Sequence, residues 1–364
     1  MKKRILHVVG ARPNFMKAAP LMHELERRSD MFEQVLVHTG QHYDDEMSAS
    51  FFDDLALPRP DLNLEVGSGS HAWQTAQVMM RFEGILEEYR PDWVVVPGDV
   101  NSTMACTLVA AKLGIKVAHV EAGLRSFDRT MPEELNRLVT DQLADALFTP
   151  SRDGDENLLR EGVDPSRIHF VGNVMIDTLV RLLPVARERW DALSNSFGLA
   201  PRDFVLVTLH RPGNVDEPGV LAELLGALHD LADDHDVVFP VHPRTRARLE
   251  RDGAVASNGL RLIRPVGYLD FLALQANASA VLTDSGGVQE ETTFLGVPCL
   301  TARPNTERPV TITSGTNRLV ERRRDALVSA VREAVASRNG HVHTPPELWD
   351  GKASQRIAEV LAHA

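Results

Sequence analysis

Short runs of Val, Ile and Leu, each followed by an amphipathic stretch, recur along the whole chain. In the first half they are RILHVVG (to Gly10), QVLVHTG (to Gly40), WVVVPGD (to Asp99), KVAHVEA (to Ala122) and ALFTPS (to Ser151). In the second half they are FVLVTLH (to His210), DVVFPVH (to His242), LRLIRP (to Pro265), AVLTDS (to Ser285) and PCLTAR (to Arg303). A strand that is apolar throughout has to bury both faces. Its alternation with helices therefore requires a parallel sheet covered on both sides. Two such series, separated by the helical region after FVGNVMIDTLV, predict an α/β chain of two Rossmann-like doubly wound domains facing a cleft. The domains are set at 1–170 and 171–346. The stretch 347–364 carries an amphipathic helix able to pack on either domain and is placed on the first.

Composition narrows the partners. The 364 residues suit two domains, and 43% hydrophobic with 25% charged residues is the make-up of a soluble globular protein. A net charge of −12 argues against nucleic acid, which needs a clustered basic face. The two cysteines, Cys106 and Cys299, lie far apart in apolar runs and read as buried reduced thiols of a cytoplasmic protein. The charged head of MKKRILHVVGARP is followed by too short an apolar run for a signal segment, and no membrane span follows. No His/Asp pair has ligand spacing within one element, so no metal is expected.

In open parallel sheets, ligands bind beyond the carboxyl ends of the strands. Arg12, Asp99, Glu121, His210, His242 and Ser285 all fall there, whereas His7 and His119 lie inside strands and read as satisfied core residues. After the first strand comes Gly10-Ala11-Arg12-Pro13-Asn14-Phe15-Met16-Lys17, with one glycine and hence no dinucleotide fingerprint. Its Arg12 and Lys17 suit an anionic group; a surface arginine and a helix-face lysine are the plainer alternative. Asp99, Glu121 and Glu133 form a trio of acids. Singly, Asp99 is able to cap a helix starting near Ser102, and Glu133 to complement a helix dipole after Pro132. Together, clustered acids raise one another's pKa, a cost that suits proton transfer better than simple binding. His210, in Thr208-Leu209-His210-Arg211-Pro212-Gly213-Asn214, is equally a proton carrier, a phosphate donor or a loop-bonded histidine. His242 is placed similarly, while Arg244, Arg246 and Arg248 read as a solvated helix face.

The stretch LTDSGGVQEETTFLGVPCL (Leu282 to Leu300) poses a conflict. Ser285-Gly286-Gly287 opens a helix and so offers free N–H groups and a dipole to phosphate, yet Glu290 and Glu291 lie one turn further in. A nucleotide resolves the conflict: phosphates at the helix end, and Glu291 accepting from ribose hydroxyls. Phe271 supports a base or is simply core. Arg308, in Asn305-Thr306-Glu307-Arg308-Pro309, joins Ser285 and Gly286 around a diphosphate or else sits in a surface turn.

Taken together, GARPNFMKAAPL, TGQHYDDEMS, PGDVNST, HVEAGLRSFDRTMPEELNR, VGNVMID, TLHRPGNVD, LTDSGGVQEE and NTERP resemble the non-hydrolysing UDP-N-acetylglucosamine 2-epimerases, from Gly10 to about Val320. The resemblance implies the GT-B architecture, a UDP-sugar between the domains, a homodimer, and no redox cofactor. It also implies reversible interconversion of UDP-GlcNAc and UDP-ManNAc through elimination of UDP to 2-acetamidoglucal. Carried over by position, the catalytic residues are Asp99, Glu121, Glu133 and His210. The nucleotide contacts are Arg12, Lys17, Phe271, Ser285, Gly286, Gly287, Glu291 and Arg308. A hydrolysing epimerase on the same scaffold and an epimerase of C3-modified sugars are the nearest alternatives; retention of Thr306-Glu307-Arg308-Pro309 favours plain UDP-GlcNAc.

Many relatives also bind UDP-GlcNAc at an effector site. Gln41, Arg211 and His242 match it. A further glutamine after the Gln-His pair is replaced in Gln41-His42-Tyr43-Asp44-Asp45, and Val66-Gly67-Ser68-Gly69-Ser70-His71 offers no arginine. The chain should therefore show little effector dependence. Initial rates against UDP-GlcNAc concentration are expected to be hyperbolic, and strongly sigmoidal kinetics would contradict this.

Overall fold

The computed structural model describes residues 2–40, 55, 57–241, 246, 259–337 and 343–364, apart from the Arg12 side chain. Its contacts divide the chain into two units, Met1–Arg181 with Glu347–Ala364, and Leu182–Pro346. In the first unit a seven-stranded parallel sheet runs in the order β3-β2-β1-β4-β5-β6-β7. Its strands are β1 (Lys3–Val9), β2 (Phe32–His38), β3 (Leu62–Asn63), β4 (Trp93–Pro97), β5 (Lys116–Val120), β6 (Ala146–Thr149) and β7 (Ile168–Phe170). In the second unit a six-stranded sheet runs β10-β9-β8-β11-β12-β13. Its strands are β8 (Phe204–Thr208), β9 (Asp236–Pro240), β10 (Leu260–Ile263), β11 (Ala280–Thr283), β12 (Cys299–Thr301) and β13 (Asn317–Leu319).

All ten apolar runs form strands, and all pair in parallel. Each sheet is buried on both faces. In the first unit, Leu6, Val8, Val94 and Val96 enter one core cluster while Ile5, Trp93 and Val95 enter another. In the second, Val205 and Val207 face one cluster and Phe204 and Leu206 the opposite one. The three strands without an apolar run, β3, β7 and β13, all lie at sheet edges, where a short, half-buried segment suffices. Among the described residues no helix is long and apolar enough to cross a membrane.

The division between the units falls inside the helix Val174–Glu188, later than a boundary at 170/171. The beginning of that helix is bound to the first unit: Thr178 Oγ1 donates to the Met16 carbonyl at 2.6 Å, and Arg181 to that of Leu55 at 2.6 Å. The terminal helix Ala353–His363 belongs to the first unit as well. Asp177 accepts from the amides of Ala353 (3.0 Å) and Ser354 (2.7 Å) at its start, and Lys3 Nζ donates to Leu361 and Ala362 carbonyls (3.0 Å each) at its end. These contacts satisfy backbone groups that a helix leaves open at each terminus. Ile357, Ala358 and Leu361 are fully buried in the core with Ile5, Leu21 and Trp93. Ile357→Ala should therefore lower stability by about 2–5 kcal/mol, measured as a lower urea midpoint; an unchanged midpoint would mean that this helix does not complete the core.

Candidate active site

Strand order reverses between β1 and β4 in the first sheet and between β8 and β11 in the second. At such a point the loops from neighbouring strands leave toward opposite faces and open a crevice. In the first unit the turn after β1 is held by Asn14, which is buried. Its Oδ1 accepts from the Gly10 and Ala11 amides (3.2 and 3.0 Å), and its Nδ2 donates to the Pro97 carbonyl (2.8 Å). One asparagine thus ties the two switch-point strands together in a turn without a glycine triplet. Beyond Pro97, Gly98 adopts φ +71°, and a Cβ there would stand 2.8 Å from Lys17 Nζ. A side chain at this position would collide with an ion pair: Lys17 Nζ is bonded to Glu121 Oε2, and both residues are buried.

Glu121 itself has φ +74°. This left-handed conformation costs a residue with a Cβ about 1–3 kcal/mol and persists only where the surroundings enforce it. Here the amides of Glu121 and Ala122 both donate to the Phe148 carbonyl, at 3.1 and 3.0 Å. Asp99 stands at the end of the adjacent strand, since Pro97 pairs with Val120. It does not cap the following helix, whose N-cap is Val100. Instead its Oδ2 accepts from Arg137 Nη2 at 2.5 Å, and its carbonyl accepts from Asn136 Nδ2 at 2.8 Å. Arg137 is buried and is oriented from behind by Glu134 (2.9 Å), which also accepts from the Ser126 and Phe127 amides (2.8 and 3.0 Å). Each of these two acids is thus matched to a buried cation. Glu133, one residue before Glu134, is exposed on the first turn of the helix Pro132–Leu143, outside this bonded set.

In the second unit the switch point brings together the loop after β8 and the loop after β11. His210 Nδ1 lies 2.8 Å from Asp284 Oδ1. Asp284 is completely buried and also accepts from the amides of His210 (3.0 Å) and Arg211 (2.9 Å) and from Asn214 Nδ2 (2.9 Å). Burial alone would raise its carboxyl, but the His210 bond and charge, with the Arg211 and Asn214 donors, hold it below the ordinary aspartate value. A carboxylate at Nδ1 orients the ring and leaves Nε2 for a ligand, on a side chain that is 59% exposed. Arg211 donates from Nε to the Asp284 carbonyl (3.1 Å) and reaches Glu307 at 3.5 Å.

Ser285 caps the helix Gly286–Leu295 without a side-chain bond to it. At Gly286 an added Cβ would stand 2.5 Å from Arg308 Nη1, so a side chain there would displace that guanidinium. Gly287 continues the first turn. Arg308 is held by Glu290 (2.8 Å) and lies 3.7 Å from Glu307, which also binds Arg303 at 2.9 Å. Thr306 Oγ1 donates to Gln289 (2.7 Å) and accepts from the Arg308 amide (3.1 Å). Thr306 to Arg308 thus form a strap that presses a guanidinium onto the helix start. Glu290 holds that arginine, which accounts for an acid one turn into this helix. Glu291 is buried and accepts from Tyr268 Oη at 2.9 Å. Phe271 is half-buried and packs against the core containing Leu206 and Leu274.

Arg12 opens the helix Arg12–Arg27, but its side chain, like Gln41 and His242, lies outside the described residues. The structure adds Asn14, Glu134, Asn136, Arg137, Tyr268 and Asp284 to the residues singled out from sequence. Arg137 and Glu134 are spaced for one helix face in PEELNR, and Asp284 ends the run AVLTD.

Burial, opposed by the Tyr268 and Gln275 hydrogen bonds, lifts the Glu291 carboxyl from 4.5 to about 7. Because the folded value is the higher one, ionising Glu291 destabilises the fold progressively as pH rises from about 4.5 to 7, by about 3 kcal/mol in total. Glu291→Gln removes that charge, so its melting temperature should gain on wild type between pH 5 and pH 8; parallel curves would contradict a buried, neutralised acid.

The comparisons with known proteins follow this geometry over nearly the whole chain. The family model for UDP-N-acetylglucosamine 2-epimerase matches residues 23–362. The UDP-N-acetylglucosamine 2-epimerase of Methanocaldococcus jannaschii is 42% identical over 364 residues, covering 98% of each chain. The UDP-2,3-diacetamido-2,3-dideoxy-D-glucuronate 2-epimerase of Pseudomonas aeruginosa is 41% identical, covering 99% of each chain. The crystal structure of the M. jannaschii enzyme in complex with UDP-GlcNAc and UDP superposes with a TM-score of 0.89 at 40% identity, covering 99% of this chain and 100% of that one. The two doubly wound sheets are those of this fold, and the chain belongs to the UDP-N-acetylglucosamine 2-epimerase family.

Proposed function

We propose that the protein interconverts UDP-GlcNAc and UDP-ManNAc without net hydrolysis. The observation that carries this reading is the pair of acids on one sheet rim, each bonded to a buried cation: Glu121 with Lys17, and Asp99 with Arg137. Such pairs fix the direction of each carboxylate, as a proton acceptor requires. The C–H at C2 is only weakly acidic, so its removal has to accompany departure of UDP. The C1–O bond breaks toward the diphosphate, a carboxylate takes the C2 proton, and a C1=C2 bond forms in 2-acetamidoglucal. Re-addition of UDP, with a proton delivered to the opposite face of C2, gives the epimer. Two faces need more than one acid, hence Asp99, Glu121 and Glu133. His210, Arg308 and the N–H groups at Ser285-Gly286-Gly287 meet the growing charge of the leaving diphosphate. Glu291 is available to the ribose, and Arg12 adds a cation. The sequence is redox-neutral, so it needs no redox cofactor.

Several further features support a homodimer. Trp73 and Met80 on the helix His71–Tyr89, and Leu135, Val139 and Leu143 on Pro132–Leu143, are exposed. Their spacing lays an apolar stripe on each helix, suited to a second copy. Two free, buried cysteines fit a cytoplasmic setting. The similarity to the P. aeruginosa enzyme favours a second substrate reading, a C3-modified UDP-sugar.

Proton NMR of the reaction separates these outcomes. UDP-ManNAc accumulating beside UDP-GlcNAc is expected. Free ManNAc with UDP would show hydrolysis, and turnover of only the 2,3-diacetamido uronate would move the assignment to that sugar. Asp99→Asn and Glu121→Gln should each lower kcat by about 10²–10⁴-fold, read in the same assay; wild-type kcat in either variant would remove that acid from the proton path.

A further inference from the structure

We infer that His119, buried behind the acids, is a positioning residue for Asp99 and Glu121, acting as an imidazolium clamp on the Gly98 carbonyl; this rests on the epimerase reading above. His119 is the penultimate residue of β5 and has no solvent exposure. Its Nε2 lies 2.8 Å from the Gly98 carbonyl oxygen, which only accepts, so Nε2 carries a proton. Its Nδ1 lies 2.6 Å from Asp141 Oδ1. The other Asp141 oxygen meets Arg125 Nη1 at 2.7 Å and the Gly123 amide at 3.2 Å. Burial would raise the Asp141 carboxyl, but His119 and Arg125 hold it below the ordinary value. Facing a carboxylate, Nδ1 donates as well, and the ring is cationic. Arg125 also binds Glu161 through two bonds (2.8 and 2.6 Å), so two cations balance two anions and the buried cluster is neutral, as its burial demands.

This cluster sits directly behind the acids. Three successive carbonyls leading into the rim are each held by side chains. Pro97 accepts from Asn14 and Thr103 (2.8 and 3.0 Å), Gly98 from His119, and Asp99 from Asn136. The Gly98–Asp99 peptide therefore has its oxygen fixed by His119 alone among the described side chains. Tilting that peptide would turn Asp99. It would also press Gly98 on the Lys17–Glu121 pair, from which a Cβ would stand only 2.8 Å (Nζ) and 3.8 Å (Oε2). A charge-assisted bond is the stronger kind, and it is spent here on a backbone atom flanked by both acids.

Two near-isosteres separate the roles. In His119→Gln the amide nitrogen takes the place of Nε2 and reaches Gly98; in His119→Asn it takes the place of Nδ1 and reaches Asp141 only. The expected result is an about 10²-fold fall in kcat for His119→Asn at little-changed KM, with most of the loss restored in His119→Gln. Wild-type kcat in His119→Asn, or equal losses in both variants, would overturn the inference. Should His119→Asn fail to fold, ¹⁵N-histidine NMR of the wild-type chain decides: protons on both ring nitrogens of His119 at pH 7 support the clamp, and a bare Nδ1 overturns it. Wild-type protein that does not epimerise a UDP-sugar would sink the functional reading instead, and the NMR result would still decide the state of the clamp.

Discussion

A parallel strand buried on both faces can expose chemistry only at its ends, and this constraint governs both units. Side chains along β1, β4, β8 and β11 are committed to packing, so the reactive groups gather in the loops that follow them. Where the strand order reverses, two such loops face the same opening. In the first unit these are the turn after β1, leading into the helix that carries Asn14 and Lys17, and the turn holding Gly98 and Asp99, with Glu121 one strand further along. In the second they are the turns of His210 and of Asp284 to Gly286.

The two sites differ in how their charges are managed. In the first unit Asp99 and Glu121 are matched one to one with buried cations, Arg137 and Lys17, so each carboxylate is held in direction by its own partner. In the second unit acids serve to place cations and a histidine. Glu290 and Glu307 surround Arg308, and Asp284 holds the ring of His210. A buried ion pair adds little to stability by itself; its use at these positions is to fix direction.

Much of this was legible in the sequence because it is periodic or terminal. Ten continuous apolar runs declared ten strands, and the polar residues just past them fall at the strand ends that meet at the two switch points. The edge strands β3, β7 and β13 were not legible, because Leu62–Asn63, Ile168–Phe170 and Asn317–Leu319 need no apolar run to pair on one side only. Nor were the residues that orient the site. Arg137 and Glu134 reach Asp99 and the loop at Ser126 from a helix, and Asn14 reaches Pro97 across the switch point. The i, i+3 spacing of Glu134 and Arg137 marks a shared helix face, but nothing in it tells which distant strand end that face reaches. Phe271, which sequence left open between base support and core, packs with the core. His119 is the satisfied core histidine that its place inside a strand implies, but the sequence does not disclose that one of its partners is the carbonyl beside Asp99.

The account turns on a proton leaving C2 while the bond to UDP breaks. Turnover of UDP-GlcNAc in deuterium oxide, followed by NMR and mass spectrometry, tests this most directly. The account predicts deuterium at C2 of the UDP-ManNAc formed, and its appearance in recovered UDP-GlcNAc as equilibrium is approached. Epimerisation that retained the original hydrogen at C2 would contradict it, because no exchange through the carboxylates would then have taken place.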